Sequence, residues 1–277
     1  MTGRPVWVNG DLHPEEQATV SVFDHGLTVG DGVFESVKAV AGEPFALTRH
    51  LDRLAVSARG LSLAEPDLDR VRGAVLETIA AQADPTEDLR VRITYTGGIA
   101  PPGSGRGSSG PTLIVAVTPL ADADASAAVV TVPWPRNERG ALAGLKTTSY
   151  AENVVALAYA KERGGSEAIC ADTTGRLCEA TGSNVLLGID GRLVTPSLAS
   201  GCLAGVTRGL AIEWCGVVEE EIPFEALFEA DEIALTSTTR NIQPVHAVDG
   251  RELPAPGPLT TAAMVAWLSA AAEHLDP

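Results

Sequence analysis

Apolar and polar positions along the chain follow two alternating rhythms. Stretches of period two predict strands, and stretches of period three to four predict helices. "VWVNGD" (6–11) reads as a strand entering an Asn-Gly turn. "TVSVFD" (19–24) and "VFESVKAV" (33–40) alternate and predict two more strands. Leu51, Leu54, Ala55, Ala58 and Leu61 then share one helical face, and Leu68, Val71, Val75 and Ile79 share another. Strands return at 89–95 and 112–117. Between them lies "TGGIAPPGSGRGSSG" (96–110), the one low-complexity piece. It reads either as a plain hairpin loop or as a functional one, since irregular loops of this length inside a compact domain usually carry function. Residues 118–126 read as a connection. Beyond it the pattern predicts strands at 128–132, 167–171, 184–189, 217–222 and 232–237, with helices at 152–163, 206–215 and 259–275. No internal repeat of fixed period is present. The fold class is α+β.

Length and composition narrow the functional classes. A chain of 277 residues with 45% hydrophobic and 20% charged residues suits two modest domains or one large one. Its formal net charge of −16 argues against nucleic acid as a partner, because such a surface repels phosphate backbones. Any anionic ligand needs a local basic site. Cys170, Cys178, Cys202 and Cys215 form no C-x-x-C pair or zinc-type cluster, so free thiols in a reducing cytosol and no metal site are expected. "MTGRPVWVNG" has no apolar core of a signal peptide, and no run of about 18 apolar residues would span a membrane. A cytoplasmic location without membrane attachment is the expectation.

Five segments carry candidate chemistry. Lys146 in "AGLKTTSYAENVVALAYA" precedes a helix, where an ordinary lysine would be a solvated surface charge. Glu179 in "GRLCEATGSNVLL" stands at the mouth of an apolar strand, as a hairpin carboxylate also would. Val206 and Thr207 in "LAGVTRGLAIEW" open a helix. Exposed N–H groups there favour a phosphate, and a capping threonine is the plainer alternative. Ser237, Thr238 and Thr239 end a strand with three hydroxyls. Arg49 opens the first helix, where surface ion pairing would be ordinary.

In this order the segments resemble the class-IV aminotransferases, the fold-type IV enzymes of pyridoxal 5'-phosphate (PLP). "DHGLTVGDGVFE" (24–35) resembles that family's N-terminal signature and "NIQPVHAVDG" (241–250) its C-terminal strand and turn, so the likeness spans nearly the whole chain. The resemblance implies a small N-terminal α/β domain (1–119), a linker (120–126) and a larger, barrel-like mixed α/β domain (127–277), with the cofactor in the cleft between them. It also implies a homodimer, with the 96–110 loop approaching the neighbour's pocket. Lys146 would hold the cofactor as a Schiff base and move the Cα proton, which requires its neutral form. Glu179 would pair with the pyridine nitrogen. Arg49, Val206, Thr207 and Thr238 or Thr239 would hold the phosphate, Arg49 through its planar donor fork. Phe34 and Arg106 are the substrate-binding candidates. His25 and Asp31 are expected to act structurally.

The family contains branched-chain and D-amino-acid transaminases and aminodeoxychorismate lyases. Branched-chain enzymes carry a tyrosine five residues past the lysine, where this chain has Ala151. Tyr150, one place early, would be rotated by about 100° on a helix. The D-amino-acid and lyase relatives often carry arginine then glycine after the strand at 91–96, where this chain has Gly97 and Gly98, so that carboxylate-binding arginine is missing. The Gly-rich loop around Arg106 and the "KTTSYAENVVAL" version of the lysine motif resemble the lyases. The first expectation is therefore an aminodeoxychorismate lyase releasing p-aminobenzoate and pyruvate for folate synthesis. The alternatives are a D-amino-acid or branched-chain transaminase and, from another class, a non-catalytic ligand-binding relative.

Overall fold

A computed structural model describes residues 3–84 and 86–277. The chain divides into two compact units. The first comprises the residues up to Ala121 together with Leu145–Tyr150 and Leu275–Pro277, and the second comprises Asp122–Gly144 and Ala151–His274.

The first unit holds strands β1 (Pro5–Val8), β2 (Asp11–Pro14), β3 (Gly32–Val40), β4 (Glu43–Pro44), β5 (Leu89–Thr96) and β6 (Thr112–Pro119), and helices α1 (His25–Thr28), α2 (Leu47–Gly60) and α3 (Leu68–Ala80). The strands form one antiparallel sheet in the order β2-β1-β6-β5-β3-β4. Alternation gives each strand two faces. Val33, Val37, Val91 and Ile93 pack with Leu51 and Leu54 of α2 and Val71 and Val75 of α3 in one core. Phe34 and Ser36 of β3 point the other way, opposite Thr94 and Arg92 of β5.

No strand forms at 19–24. Val20, Val22 and Phe23 are exposed, and Asp24 caps the single turn of α1 by accepting from Gly26 N at 2.8 Å. Only its end finds a neighbour: Asp24 bridges Ile99, and Ala100 N donates to Phe23 O at 3.1 Å. In the 96–110 loop, Gly98 (φ 74°) passes so close to Gly110 that a Cβ would lie 1.8 Å from its carbonyl oxygen. That crossing is open only to glycine.

The Lys146 segment belongs to the first unit, although the linear division places it in the second domain. Thr147 bridges Val33, Phe34 N donates to Lys146 O at 3.0 Å, and Thr148 N donates to Gly32 O at 2.8 Å. These bonds extend the start of β3. Leu275–Pro277 return for the same kind of reason. Ala46 N donates to Leu275 O at 2.8 Å, and Thr48 donates to the Asp276 carboxylate through N and Oγ1.

The second unit holds β7 (Ala127–Thr131), α4 (Ala151–Lys161), β8 (Glu167–Ala171), β9 (Leu177–Ala180), β10 (Asn184–Ile189), β11 (Arg192–Pro196), α5 (Val206–Cys215), β12 (Val218–Glu220), α6 (Ala226–Glu229), β13 (Glu232–Ser237), β14 (Asn241–Val248), β15 (Arg251–Glu252) and α7 (Pro258–Glu273). Its mixed sheet runs β12-β11-β10-β13-β14-β7-β8-β9, with β15 on β14. Val129, Ile169, Leu187, Ile233 and Leu235 lie in its core. The pattern does not predict β9 and β11. The turn into β11 is legible nonetheless: Asp190 (φ 50°) and Gly191 (φ 72°) make the two-residue left-handed loop that an Asp-Gly pair favours.

Candidate active site

The sequence candidates fall into two groups. Lys146, Arg49, Phe34 and Arg106 lie in the first unit, and Glu179, Val206, Thr207, Thr238 and Thr239 lie in the second.

In the first unit Lys146 is half-buried, fixed by the β3 pairing and by Ser57 Oγ of α2, which accepts from its backbone N at 3.1 Å. Its Nζ lies 4.5 Å from the centroid of the Phe34 ring. Two more side chains meet that ring. Tyr150 packs edge-on at 5.2 Å, and the Arg92 guanidinium carbon lies 3.3 Å from the centroid. Tyr150 precedes α4, so the helical rotation expected of it does not apply. The extended 145–150 segment brings it beside Phe34 instead.

Beneath this cluster, on the helix side of β3, Glu35 is fully buried. Burial alone would raise its pKa, yet the charge and hydrogen bonds of Arg53, with His50 Nδ1 at 2.7 Å, hold its carboxyl far below the usual range. Burial in turn lowers the pKa of His50. Arg49 sits in the first turn of α2, where its Nε donates to Pro277 O at 2.9 Å.

Arg106 is differently engaged from its expected role with a substrate carboxylate. Its guanidinium grips Asp31 through Nε at 2.7 Å and Nη2 at 2.6 Å, and donates further to the carbonyls of Leu61 and Ser62. The Arg106 hydrogen bonds hold the Asp31 carboxyl below its ordinary pKa. The anion this arginine serves is already part of the protein. His25, fully buried, lies 3.5 Å from Asp31 on its other side.

In the second unit the candidates gather around one end of the sheet. Glu179 accepts from Leu203 N at 2.9 Å and lies 3.5 Å from Arg136 Nη2. Burial opposes the charge of Arg136, but the anionic Glu179 beside it raises its pKa above the ordinary value. Leu203 O accepts from Asn184 Nδ2 at 2.8 Å, which ties the approach to α5 to β10. Asn184 pairs with Thr236 of β13, one residue before Ser237 and the turn bearing Thr238 and Thr239. Ser237 Oγ accepts from Arg240 Nε at 3.1 Å.

The N-terminus of α5 receives no side-chain cap. α3, by contrast, is capped by Asp67, and the first turn of α7 donates to the Glu232 carboxylate. Unsatisfied N–H groups and the positive end of the helix dipole suit a phosphate, and Val206 and Thr207 are both buried there. The hydroxyls of Ser183, in the bend before β10, and Thr236, on β13, are buried without a hydrogen-bond partner among the described residues. A carboxylate, an uncapped helix start and orphaned hydroxyls on one sheet end fit a group with a basic ring nitrogen and a phosphate. A cavity of about 390 Å³ borders Arg136, lined also by Val132, Trp134, Ala156, Cys170 and Thr181.

Sequence reasoning misses Arg92, Arg136 and the place of Tyr150. Arg92 has a legible signal: a charged residue on the Phe34 face of a strand flanked by apolar positions. Arg136, in "PWPRNERG", has none.

The family model for amino-transferase class IV matches residues 32–248. A Methanocaldococcus jannaschii protein named "Putative branched-chain-amino-acid aminotransferase" is 35% identical over 89% of this chain and 88% of its own. The bifunctional aminodeoxychorismate lyase / D-amino acid transaminase of Mycobacterium tuberculosis is 30% identical over 90% of this chain and 92% of its own. The solved branched-chain aminotransferase of Thermoproteus uzoniensis with norvaline superposes with a TM-score of 0.86 at 29% identity, covering 95% of this chain and 93% of that one. A hypothetical Mycobacterium tuberculosis aminotransferase in its PLP-bound form gives 0.82 at 27% identity, covering 96% and 99%. With a two-unit α+β fold, a lysine fixed on β3 and a carboxylate beside an uncapped helix, the chain belongs to the amino-transferase class IV family of fold-type IV enzymes.

Proposed function

We propose that the protein is a PLP-dependent aminotransferase, homodimeric, that moves an amino group between an amino acid and a keto acid. The observation that carries this reading is the grouping of Glu179, the uncapped start of α5 and the 238–239 turn at one end of one sheet. Val206, Thr207 and Thr238 or Thr239 would hold the phosphate, with Arg49 as a further donor. Glu179 would face the ring nitrogen and Lys146 would carry the ring's aldehyde carbon. Bound there, the cofactor supplies a conjugated ring that draws electrons from the bonds at the substrate's Cα.

The chain's residues perform the rest. Glu179, between Arg136 and the Leu203 N–H, would pair with the ring nitrogen of the cofactor and favour its protonated form. Lys146, in its neutral form, would accept the Cα proton on Nζ and hold it for return. Phe34 and Tyr150 form an apolar wall that keeps water from Nζ.

The lyase is the second reading. The M. tuberculosis relative carries both activities in its name, and the "KTTSYAENVVAL" segment supports it. The loop argument for it weakens, because Arg106 already serves Asp31. The test is a substrate panel on purified protein. Conversion of D-alanine or a branched-chain amino acid with a keto acid supports the transaminase. Release of p-aminobenzoate and pyruvate from aminodeoxychorismate, with no amino transfer, replaces it by the lyase. A colourless protein indifferent to PLP ends both readings.

A further inference from the structure

Cys170, Cys178 and Cys202 meet in one cluster of the second unit, packed with Val130, Val132, Ala160 and Ala168. We propose that Cys170 and Cys178 are a modification site, a dithiol that a small hydroperoxide oxidises to a disulfide.

The pairing of β8 with β9 brings the two sulfurs together. Cys170 pairs with Glu179 and Ala171 with Leu177, so Cys178 is the extra residue of a bulge and lies opposite Cys170 together with Glu179. Strict alternation would send Cys178 to the other face of the sheet. The bulge turns it into the cluster instead, and a hydrogen bond links the two thiols. Neighbouring strands lie about 4.7–4.9 Å apart, within the roughly 4.4–6.8 Å between Cα atoms that a disulfide spans.

The two cysteines differ in access and in charge. Cys170 lines the cavity of about 390 Å³ beside Trp134, Arg136 and Thr181, whereas Cys178 and Cys202 are not among its walls. A hydroperoxide of a few heavy atoms fits there, since one water takes about 30 Å³. The hydrogen bond with Cys178 holds the Cys170 thiol below the ordinary thiol range, and the charge of Arg136 adds to this against burial. The same bond, with burial, pushes the Cys178 thiol up, so the reactive thiolate is that of Cys170. Arg136 Nε is buried without a hydrogen-bond partner among the described residues and can donate to the departing oxygen.

The Cys170 thiolate attacks the terminal peroxide oxygen. An S–O bond forms, the O–O bond breaks, and the other oxygen leaves with the proton that Cys170 gave up. The Cys178 sulfur then attacks the Cys170 sulfur. The S–S bond forms, the S–O bond breaks, and hydroxide leaves as water with the Cys178 proton. The thiols lose two electrons and the hydroperoxide gains them. Cys170 Sγ lies 3.4 Å from Glu179 O, so the new bond forms against the backbone of that carboxylate.

The test is treatment of the reduced holoenzyme with hydrogen peroxide at neutral pH, followed by peptide mass mapping without reductant. A Cys170–Cys178 link, reversed by dithiothreitol, is expected. Cys170 should lose its free thiol roughly tenfold or more faster than Cys215, whose pKa of about 11 leaves little thiolate, even after allowing for the lower nucleophilicity of a more acidic thiol. In Cys178→Ser the sulfenic acid should persist on Cys170 and be trapped by dimedone. The wild-type link and rates decide the matter if that variant does not fold. A Cys178–Cys202 link in place of the expected one, oxidation of Cys170 no faster than that of Cys215, or a wild-type Cys170 sulfenic acid that never resolves to a disulfide overturns the assignment.

Discussion

At the scale of single residues, Lys146 and Glu35 lead to opposite kinds of prediction. On the proposed reading Lys146 serves chemistry more than stability. Lys146→Ala should lose the violet absorption of the bound cofactor and about 10²–10⁴-fold of turnover, the range of a lost general base, while melting near wild type. Glu35 carries stability more than chemistry. Glu35→Gln leaves Arg53 and His50 beside a buried group with no charge, and should cost about 3–5 kcal/mol in denaturant unfolding. The sign with pH follows from its depressed folded-state pKa. Its contribution is complete above the unfolded value of 4.5 and declines as pH falls through the lower folded one. Wild-type stability should thus fall more steeply below about pH 4.5 than that of Glu35→Gln, as unfolding curves across that range would show. Glu179 and Lys146 are candidates because motif order singles them out. Glu35 is not, because a period-two strand assigns it no role. Its importance arises from Arg53 and His50, which approach across the α2 interface and have no sequence spacing to betray them.

At the scale of elements, the start of α5 is the place the proposed reading gives to the phosphate. A Cβ on Gly205 would lie 2.0 Å from Asn184 Oδ1, so Gly205→Ala must move either the helix start or the strand that Asn184 anchors. Its affinity for PLP should drop about tenfold or more in equilibrium dialysis, which corresponds to roughly one lost phosphate hydrogen bond. Gly209, four residues on in the same helix, is different: a methyl group there would meet nothing within 4 Å. Gly209→Ala should therefore stabilise the protein by about 0.5–1 kcal/mol and leave PLP affinity alone. The limits of α5, β8, β10 and β13 are readable because long apolar runs there end at glycines or turn residues. The strand expected at 19–24 does not form, since alternation reports a pattern and not the presence of a neighbour to pair with. The segment at Tyr150 fails in the other direction: a helical rule misplaces a residue that lies one position outside the helix.

At the scale of the whole molecule, all four cysteines are free, with Cys170, Cys178 and Cys202 buried. Burial pushes the thiols of Cys202 and Cys215 up to about 11. A thiol reagent should count close to four groups in denaturant, and Cys202 and Cys215 should react slowly in the native protein at neutral pH, because little of either is thiolate. Composition makes that readable, as it does the α+β class. It cannot show how the chain is threaded. The path leaves the first unit after Ala121, returns for Leu145–Tyr150, leaves again and comes back at Leu275. The unit that holds Lys146 is therefore sewn from three separated lengths of chain. A ribosome that has released residues 1–121 has made most of one core but none of the segment bearing the lysine. The clasp of Ala46 and Thr48 on Leu275 and Asp276 must wait until those two residues have also emerged. The unit around the lysine gains its last segment only after the whole of the second unit exists.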